Sequence, residues 1–309
     1  MSAGHVDTIH LDGLDVHVRR WEPAAGRDST GRADGATPML LVHGLGANTV
    51  SWLTVGQALA DRRGATVTAV DLCGFGYTRA LDSAATLTRN ADLVIAALDA
   101  FGPSVVAGNS MGGAITVKVA ARRPDLVEAM VLVNPAVRAA GLRSPQMRAG
   151  VFVAPMLFPT LGERLIAARA NQLGPEGLVD GTLDVVLERG PLDPGVRQGF
   201  VDIARDRMAF PEAARAYADA ASSLFWYMTR NLDRDLAVAL TSRPGLLVFG
   251  DRDRLIHVSS AHALARRHPR LDVEMLEGIG HAPQLDAPER FVDAVDRWLT
   301  SPFGRFPAP

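Results

Sequence analysis

The sequence predicts an α/β fold: a mostly parallel, doubly wound sheet that carries a helical insertion. Three observations predict it. Short apolar runs, too continuous to leave one face in water, alternate with segments of helical periodicity. That rhythm stops near Ala136 and resumes near Leu240. Glycine-containing turns follow several of the apolar runs, at the strand ends where ligands bind in open parallel sheets.

The bulk composition suits one large domain or a domain with an insertion. The chain has 309 residues, of which 48% are hydrophobic and 21% charged, enough for a substantial core. Its 32 Lys and Arg nearly balance 34 Asp and Glu, leaving a net charge of −2. That excludes a basic footprint for nucleic acid and a polybasic membrane patch. A single cysteine, Cys73, rules out an internal disulfide. No apolar run is long enough for a transmembrane span. The opening residues 1–7 lack a secretory pattern, so a cytoplasmic location is expected. Nothing in the chain fixes an oligomeric state.

Taken in order, Thr8–Leu11 and Leu14–Val18 alternate around Asp12-Gly13, which predicts a β-hairpin. The Gly-, Ala- and Asp-rich stretch from Ala24 to Thr37 reads as an exposed loop. A buried strand at 38–42 runs into the turn His43-Gly44-Leu45-Gly46, and a helix is expected from Thr49 to Arg62. A second buried strand, 65–71, ends in Asp71-Leu72-Cys73-Gly74-Phe75-Gly76. Helical periodicity covers Leu87–Phe101, and further strands are expected at 104–108 and 129–133. The stretch 136–240 is helix-prone, broken by Pro145, Pro155, Pro159, Pro175, Pro191, Pro194 and Pro211, and carries Phe152, Met156 and Phe158. Strands then return at 245–250 and 271–276, with helices at 259–267 and 288–299 and a proline-rich tail after Ser301. The expected division is a core of residues 1–135 and 241–309 and a helical cap of residues 136–240.

The chemistry centres on Gly108-Asn109-Ser110-Met111-Gly112, between a strand and a helix. A serine on so sharp a turn stands clear of the backbone, and the flanking glycines avoid collision across it. The helix behind it aims free N–H groups and a positive dipole end at the same point. The G-x-S-x-G pattern alone arises by chance in roughly one chain in ten of this length, so its partners decide its meaning. A serine hydroxyl needs a base, and the base needs an orienting carboxylate. Gly250-Asp251-Arg252-Asp253 and Gly278-Ile279-Gly280-His281 follow consecutive strands at the same sheet edge as Ser110. The chain order Ser, Asp, His is that of the nucleophile-elbow architecture. Metal catalysis has no H-E-x-x-H or Cys/His cluster to rest on, and no cofactor is expected.

These stretches, with the turns at 43–46 and 71–76, make the sequence resemble the α/β-hydrolase family in its serine-nucleophile branch. The resemblance implies Ser110 as nucleophile, Asp253 as acid, His281 as base, and the backbone N–H groups of Leu45 and Met111 as oxyanion hole. It makes Asp251 a turn residue and His43 a structural one. Some relatives place the acid after the preceding strand, but that position here is close to Asn134, which has no carboxylate. The implied activity is hydrolysis of carboxylic esters of small to medium apolar acyl groups. Asn109 before the serine is similar to hydrolases of meta-cleavage products, which break carbon–carbon bonds, so that activity stands as the alternative. Perhydrolase or haloperoxidase-like chemistry shares the triad, and a non-catalytic ligand-binding protein shares the fold. Phe225, Trp226 and Met228 are the expected pocket lining for a small apolar ester substrate.

Overall fold

The computed structural model describes residues 2–24, 36–81, 84–138 and 158–301. The expected roles of Pro145, Phe152, Pro155 and Met156, of most of the 24–37 loop and of the tail beyond Ser301 fall outside the described residues.

Eight strands form one sheet: β1 (His5–Leu11), β2 (Leu14–Trp21), β3 (Met39–Val42), β4 (Val67–Val70), β5 (Ser104–Asn109), β6 (Val127–Val133), β7 (Gly245–Gly250) and β8 (Leu271–Leu276). Their spatial order is β1-β2-β4-β3-β5-β6-β7-β8. The β1–β2 and β2–β4 pairs are antiparallel and the remainder are parallel. The hairpin turns at Asp12 (φ 50°) and Gly13 (φ 75°), two left-handed residues in a row, which matches strand twist.

Alternate strand residues feed two cores, because successive side chains point to opposite faces. Leu40, Val42, Val106, Leu132 and Phe249 join one cluster; Met39, Leu41, Val105, Val131 and Val248 join the other. The first is covered by α2 (Leu87–Phe101) and α3 (Met111–Arg122), the second by α1 (Gly56–Arg63) and a C-terminal helix, Pro288–Thr300. The helix expected at 49–62 is split into a 3-10 turn, Thr49–Trp52, and α1. The Asn48 side chain accepts the Val50 N–H and starts the tight turn.

The insertion is helical in its described residues. It comprises α4 (Pro159–Val186), α5 (Pro194–Arg207) and α6 (Ala213–Arg230). Before Pro175, α4 breaks at Gly174, whose φ of 66° and ψ of 176° are not helical. The next helix, α7 (Leu232–Ser242), packs on α3 and buries Leu236 and Leu240 in the sheet's own core. After β7 come α8 (Val258–Arg267) and, beyond β8, α9 (Pro283–Asp286) and α10 (Pro288–Thr300).

Besides α6, whose Ala216, Ala220, Leu224 and Tyr227 are buried in the first core cluster, two seams join the insertion to the core. In one, Val50, Leu187, Val196, Ile203, Ala282 and Leu285 form a small apolar cluster. In the other, the Tyr77 hydroxyl donates to Asp206 at 2.7 Å, Arg207 donates to the Gly74 and Gly76 carbonyls at 2.7 and 3.1 Å, and Arg79 pairs with Glu212. Among the described residues no helix is long and apolar enough to cross a membrane.

Candidate active site

Strand register brings the functional turns together. Val42 pairs with Gly108, Asn109 with Val133, Val133 with Val248, and Gly250 with Leu276. The turns that follow β3, β5, β6, β7 and β8 therefore lie on the same sheet edge. At the centre stands Ser110 with φ 55° and ψ −114°, a left-handed backbone that side chains rarely adopt. Its N–H donates to the Val133 carbonyl at 2.9 Å, and its carbonyl accepts from Gly113 and Ala136. A Cβ on Gly108 would lie 2.2 Å from the Gly112 oxygen, and one on Gly112 would lie 2.2 Å from the Val42 oxygen. Both glycines are therefore steric requirements of the bend.

Asp253 and His281 meet below the surface. The His281 Nδ1 lies 2.6 Å from Asp253 Oδ2, and both residues are buried. Asp253 Oδ1 accepts the Leu255 and Ile256 N–H groups at 2.7 and 2.9 Å. Burial alone would raise the Asp253 carboxyl, but His281, the Ile256 N–H and the Asn134 amide outweigh it and hold the group below its usual range. Such an ionised carboxylate fixes a neighbouring imidazole with Nδ1–H toward it and Nε2 free to take a proton. Asp251 points elsewhere, accepting the Gly278 N–H at 2.7 Å.

Asn134 was expected only as an unusable acid position. Its amide donates to Asp253 Oδ2 at 2.6 Å while its carbonyl accepts the Gly250 N–H at 3.1 Å. It is buried with φ 39°, so β6 ends in a residue that braces the acid from β7. Asn109 is also a brace. Its amide hydrogens go to the Val133 and His281 carbonyls, both at 3.1 Å, so neither is spare for a ligand. Sequence spacing could flag both asparagines as adjacent to the turns, but not the carbonyls they reach.

The 43–46 turn lies against the serine. A Cβ on Gly44 would approach the Ser110 Cβ to 3.2 Å. His43 is buried, and burial pushes it down to about 4, so it is neutral. Its Nδ1 donates to the Gly44 carbonyl at 2.8 Å and its Nε2 accepts the Leu72 N–H at 3.0 Å, which leaves no nitrogen for chemistry. Among the described residues, the N–H groups of Leu45 and Met111 meet no acceptor. Behind this turn, buried Asp71 accepts the Thr49 and Tyr77 N–H groups at 2.7 and 2.9 Å. Burial raises its carboxyl to about 6.

The three expected pocket residues diverge. Met228 packs on the main core cluster. Trp226 is 43% exposed, with the Arg230 guanidinium 4.2 Å above its ring and Phe225 edge-on at 5.2 Å. A residue not singled out in the sequence, Tyr217, covers the 43–46 turn instead. Its ring would meet a Cβ on Gly46 at 2.9 Å, and it shares the core cluster with Leu45.

Known proteins agree with this geometry at the level of fold and family. The family model described as "Alpha/beta hydrolase family" matches residues 39–294. A 2-hydroxymuconate semialdehyde hydrolase from Pseudomonas putida is 26% identical over 267 residues, 85% of this chain and 86% of its own. Lipase 1 of Psychrobacter immobilis is 29% identical over 265 residues, 83% of this chain and 74% of its own. A thermophilic esterase from Thermogutta terrifontis superposes with a TM-score of 0.64 at 21% identity, over 95% of this chain and 96% of its own. With its strained strand-to-helix turn at Ser110, its mostly parallel sheet and a family match spanning most of its length, the chain belongs to the alpha/beta hydrolase family and is a hydrolase.

Proposed function

We propose that this hydrolase cleaves carboxylic esters of small to medium apolar acyl groups through a Ser110–His281–Asp253 triad. The observation that carries the reading is the buried 2.6 Å His281–Asp253 contact on the same strand edge as the strained Ser110. His281 Nε2 takes the Ser110 hydroxyl proton as Oγ attacks the ester carbonyl. Asp253 stabilises the imidazolium through Nδ1–H. The tetrahedral oxyanion is held by the unspent Leu45 and Met111 N–H groups, each worth about 3 kcal/mol in the transition state. The imidazolium then protonates the departing alcohol, leaving an acyl-serine. Water, deprotonated by His281, attacks that ester and releases the acid and the free enzyme.

Residues 158–230 act as the described part of a cap over this edge. We assign its apolar wall to Tyr217, whose ring lies against Gly46 of the 43–46 turn. The lone, buried Cys73 suits a reducing cytoplasm. A second reading, carbon–carbon bond hydrolysis, is favoured by the Pseudomonas putida relative. Asn109 does not add to it, because its amide hydrogens are committed to backbone carbonyls.

Covalent labelling by a fluorophosphonate tests the mechanism. Wild type is expected to label at Ser110 and the His281→Ala variant to label far more slowly. A folded wild type that does not label sinks the triad. A chain-length series of nitrophenyl esters, run beside a vinylogous diketo acid, separates the two readings by which substrate turns over.

A further inference from the structure

The backbone around His281 is tied to the insertion, and the tie runs through a carboxylate outside the triad. Asp286 Oδ2 accepts the Gly280 N–H at 2.7 Å. Its Oδ1 accepts the Glu188 and Arg189 N–H groups at 3.1 and 2.8 Å. One residue further on, the His281 and Ala282 N–H groups both donate to the Val186 carbonyl, at 2.8 and 3.2 Å. The two backbones are so close that a Cβ on Gly280 would stand 2.6 Å from that carbonyl. On its other side the His281 carbonyl takes the Asn109 amide.

We propose that Asp286 is a positioning residue for His281, and that it makes the last turn of α4 and residues 186–189 part of the mounting of the base. This rests on the serine-hydrolase reading above. The two carboxylate oxygens serve two different segments, one on the histidine turn and one on the insertion. Only an ionised carboxylate offers acceptors on both sides; an amide would set its own N–H groups against backbone N–H donors. The His281–Asp253 contact has little slack. An insertion that shifts at this end carries Gly280 with it and lengthens that contact. The core side of α4 is therefore fixed, and Gly174 is the place where the helix can bend without disturbing the base.

The test compares Asp286→Asn and Asp286→Glu with wild type, using a nitrophenyl ester, with active sites counted by fluorophosphonate titration. Asp286→Asn is expected to lower kcat per titrated site by about 10- to 100-fold, as a misplacement of about 1 Å does. KM is expected to stay within about twofold, because the apolar wall is untouched, and Asp286→Glu to recover part of the loss. Arg254→Ala gives a second probe. The Arg254 guanidinium donates to the Asp184 carbonyl and to Glu188, bracing the same junction from the surface, so a smaller loss in the same direction is expected. An unchanged kcat per titrated site in Asp286→Asn, however low the yield of folded protein, overturns the proposal. A wild type that fails to label overturns the hydrolase reading instead, so the two failures are distinct.

Discussion

The sheet edge and the insertion hold their residues by different means. At the edge, position comes from backbone: a left-handed Ser110, glycines with no room for a Cβ, and strand register that aligns four turns. In the insertion, position comes from side chains reaching backbone across long sequence gaps, as Arg207 does to Gly74 and Asp286 does to Arg189. A backbone constraint restricts which residue can stand at a position, so it leaves a motif. A side-chain bridge leaves none, since an arginine or aspartate reads the same whether it is bonded or solvated.

Removing a group from the edge is expected to give the largest effect. In the proposed triad, His281→Ala takes away the base and leaves Ser110 as an unactivated alcohol. A loss of about 10⁶-fold in kcat is expected, on the scale of triad deletions that act as a unit. Steady-state ester hydrolysis measures it. A loss below tenfold would mean that the buried His281–Asp253 pair is only structural, and the contrast between the two regions would fail.

Gly112→Ala probes the backbone side of the contrast without touching a titratable group. The added methyl would lie 2.2 Å from the Val42 oxygen and 2.7 Å from the His43 oxygen, both main-chain atoms that cannot swing away. A destabilisation of about 3 kcal/mol or more is expected in urea unfolding, at the upper end of overpacking costs. Gly181 of α4 is the control. There a Cβ meets only the tip of the Arg169 side chain at 3.9 Å, so alanine is expected to be neutral or mildly stabilising.

Most of the fold could be read from the sequence because burial leaves a pattern. Strands covered on both faces must be continuously apolar, so 39–42, 104–109 and 245–250 announce themselves. Ser110, Asp253 and His281, the proposed triad, could be picked out because each sits on a glycine-containing turn at a strand end. Asn134 and Tyr217 could not. Each acts on a neighbour distant in sequence, Asp253 and Gly46, through packing that exists only once the sheet has formed. The split after Trp52 turned on one side-chain cap from Asn48.

Between the two regions lies Asp71, where pH sharpens the comparison. Its carboxyl is raised from 3.8 to about 6 by burial, partly offset by the Tyr77 and Thr49 N–H groups and by Arg207 of α5. A raised folded-state value means that the folded protein holds the proton more tightly. The contribution is greatest below the unfolded value and is lost as pH rises through about 6. The Asp71→Asn variant lacks this term. Wild type is therefore expected to gain stability relative to Asp71→Asn as pH falls from 7 to 4, by up to about 3 kcal/mol. Urea midpoints at a series of pH values measure the gap. A gap that stays constant would mean that Arg207 compensates the buried charge fully, and that the seam is electrostatically tighter than its hydrogen bonds indicate.

The smallest effect is expected at Trp226, on the insertion's outer side. The ring is 43% exposed and its neighbours are the Arg230 guanidinium and the edge of Phe225. An exposed cation–π contact is worth about 0.5–1 kcal/mol, and side-chain loss there opens no cavity. Trp226→Ala is expected to change stability by no more than about 1 kcal/mol and to leave kcat and KM for apolar esters within about twofold. Tyr217→Ala, by contrast, removes the ring that covers Gly46 and is expected to raise KM with a lesser change in kcat, as lost uniform binding does. Chain-length profiles of both variants decide between them. If Trp226→Ala shifts the preferred acyl length and Tyr217→Ala does not, the substrate lies along the outer face of α6, and the apolar wall must be reassigned from Tyr217 to Trp226.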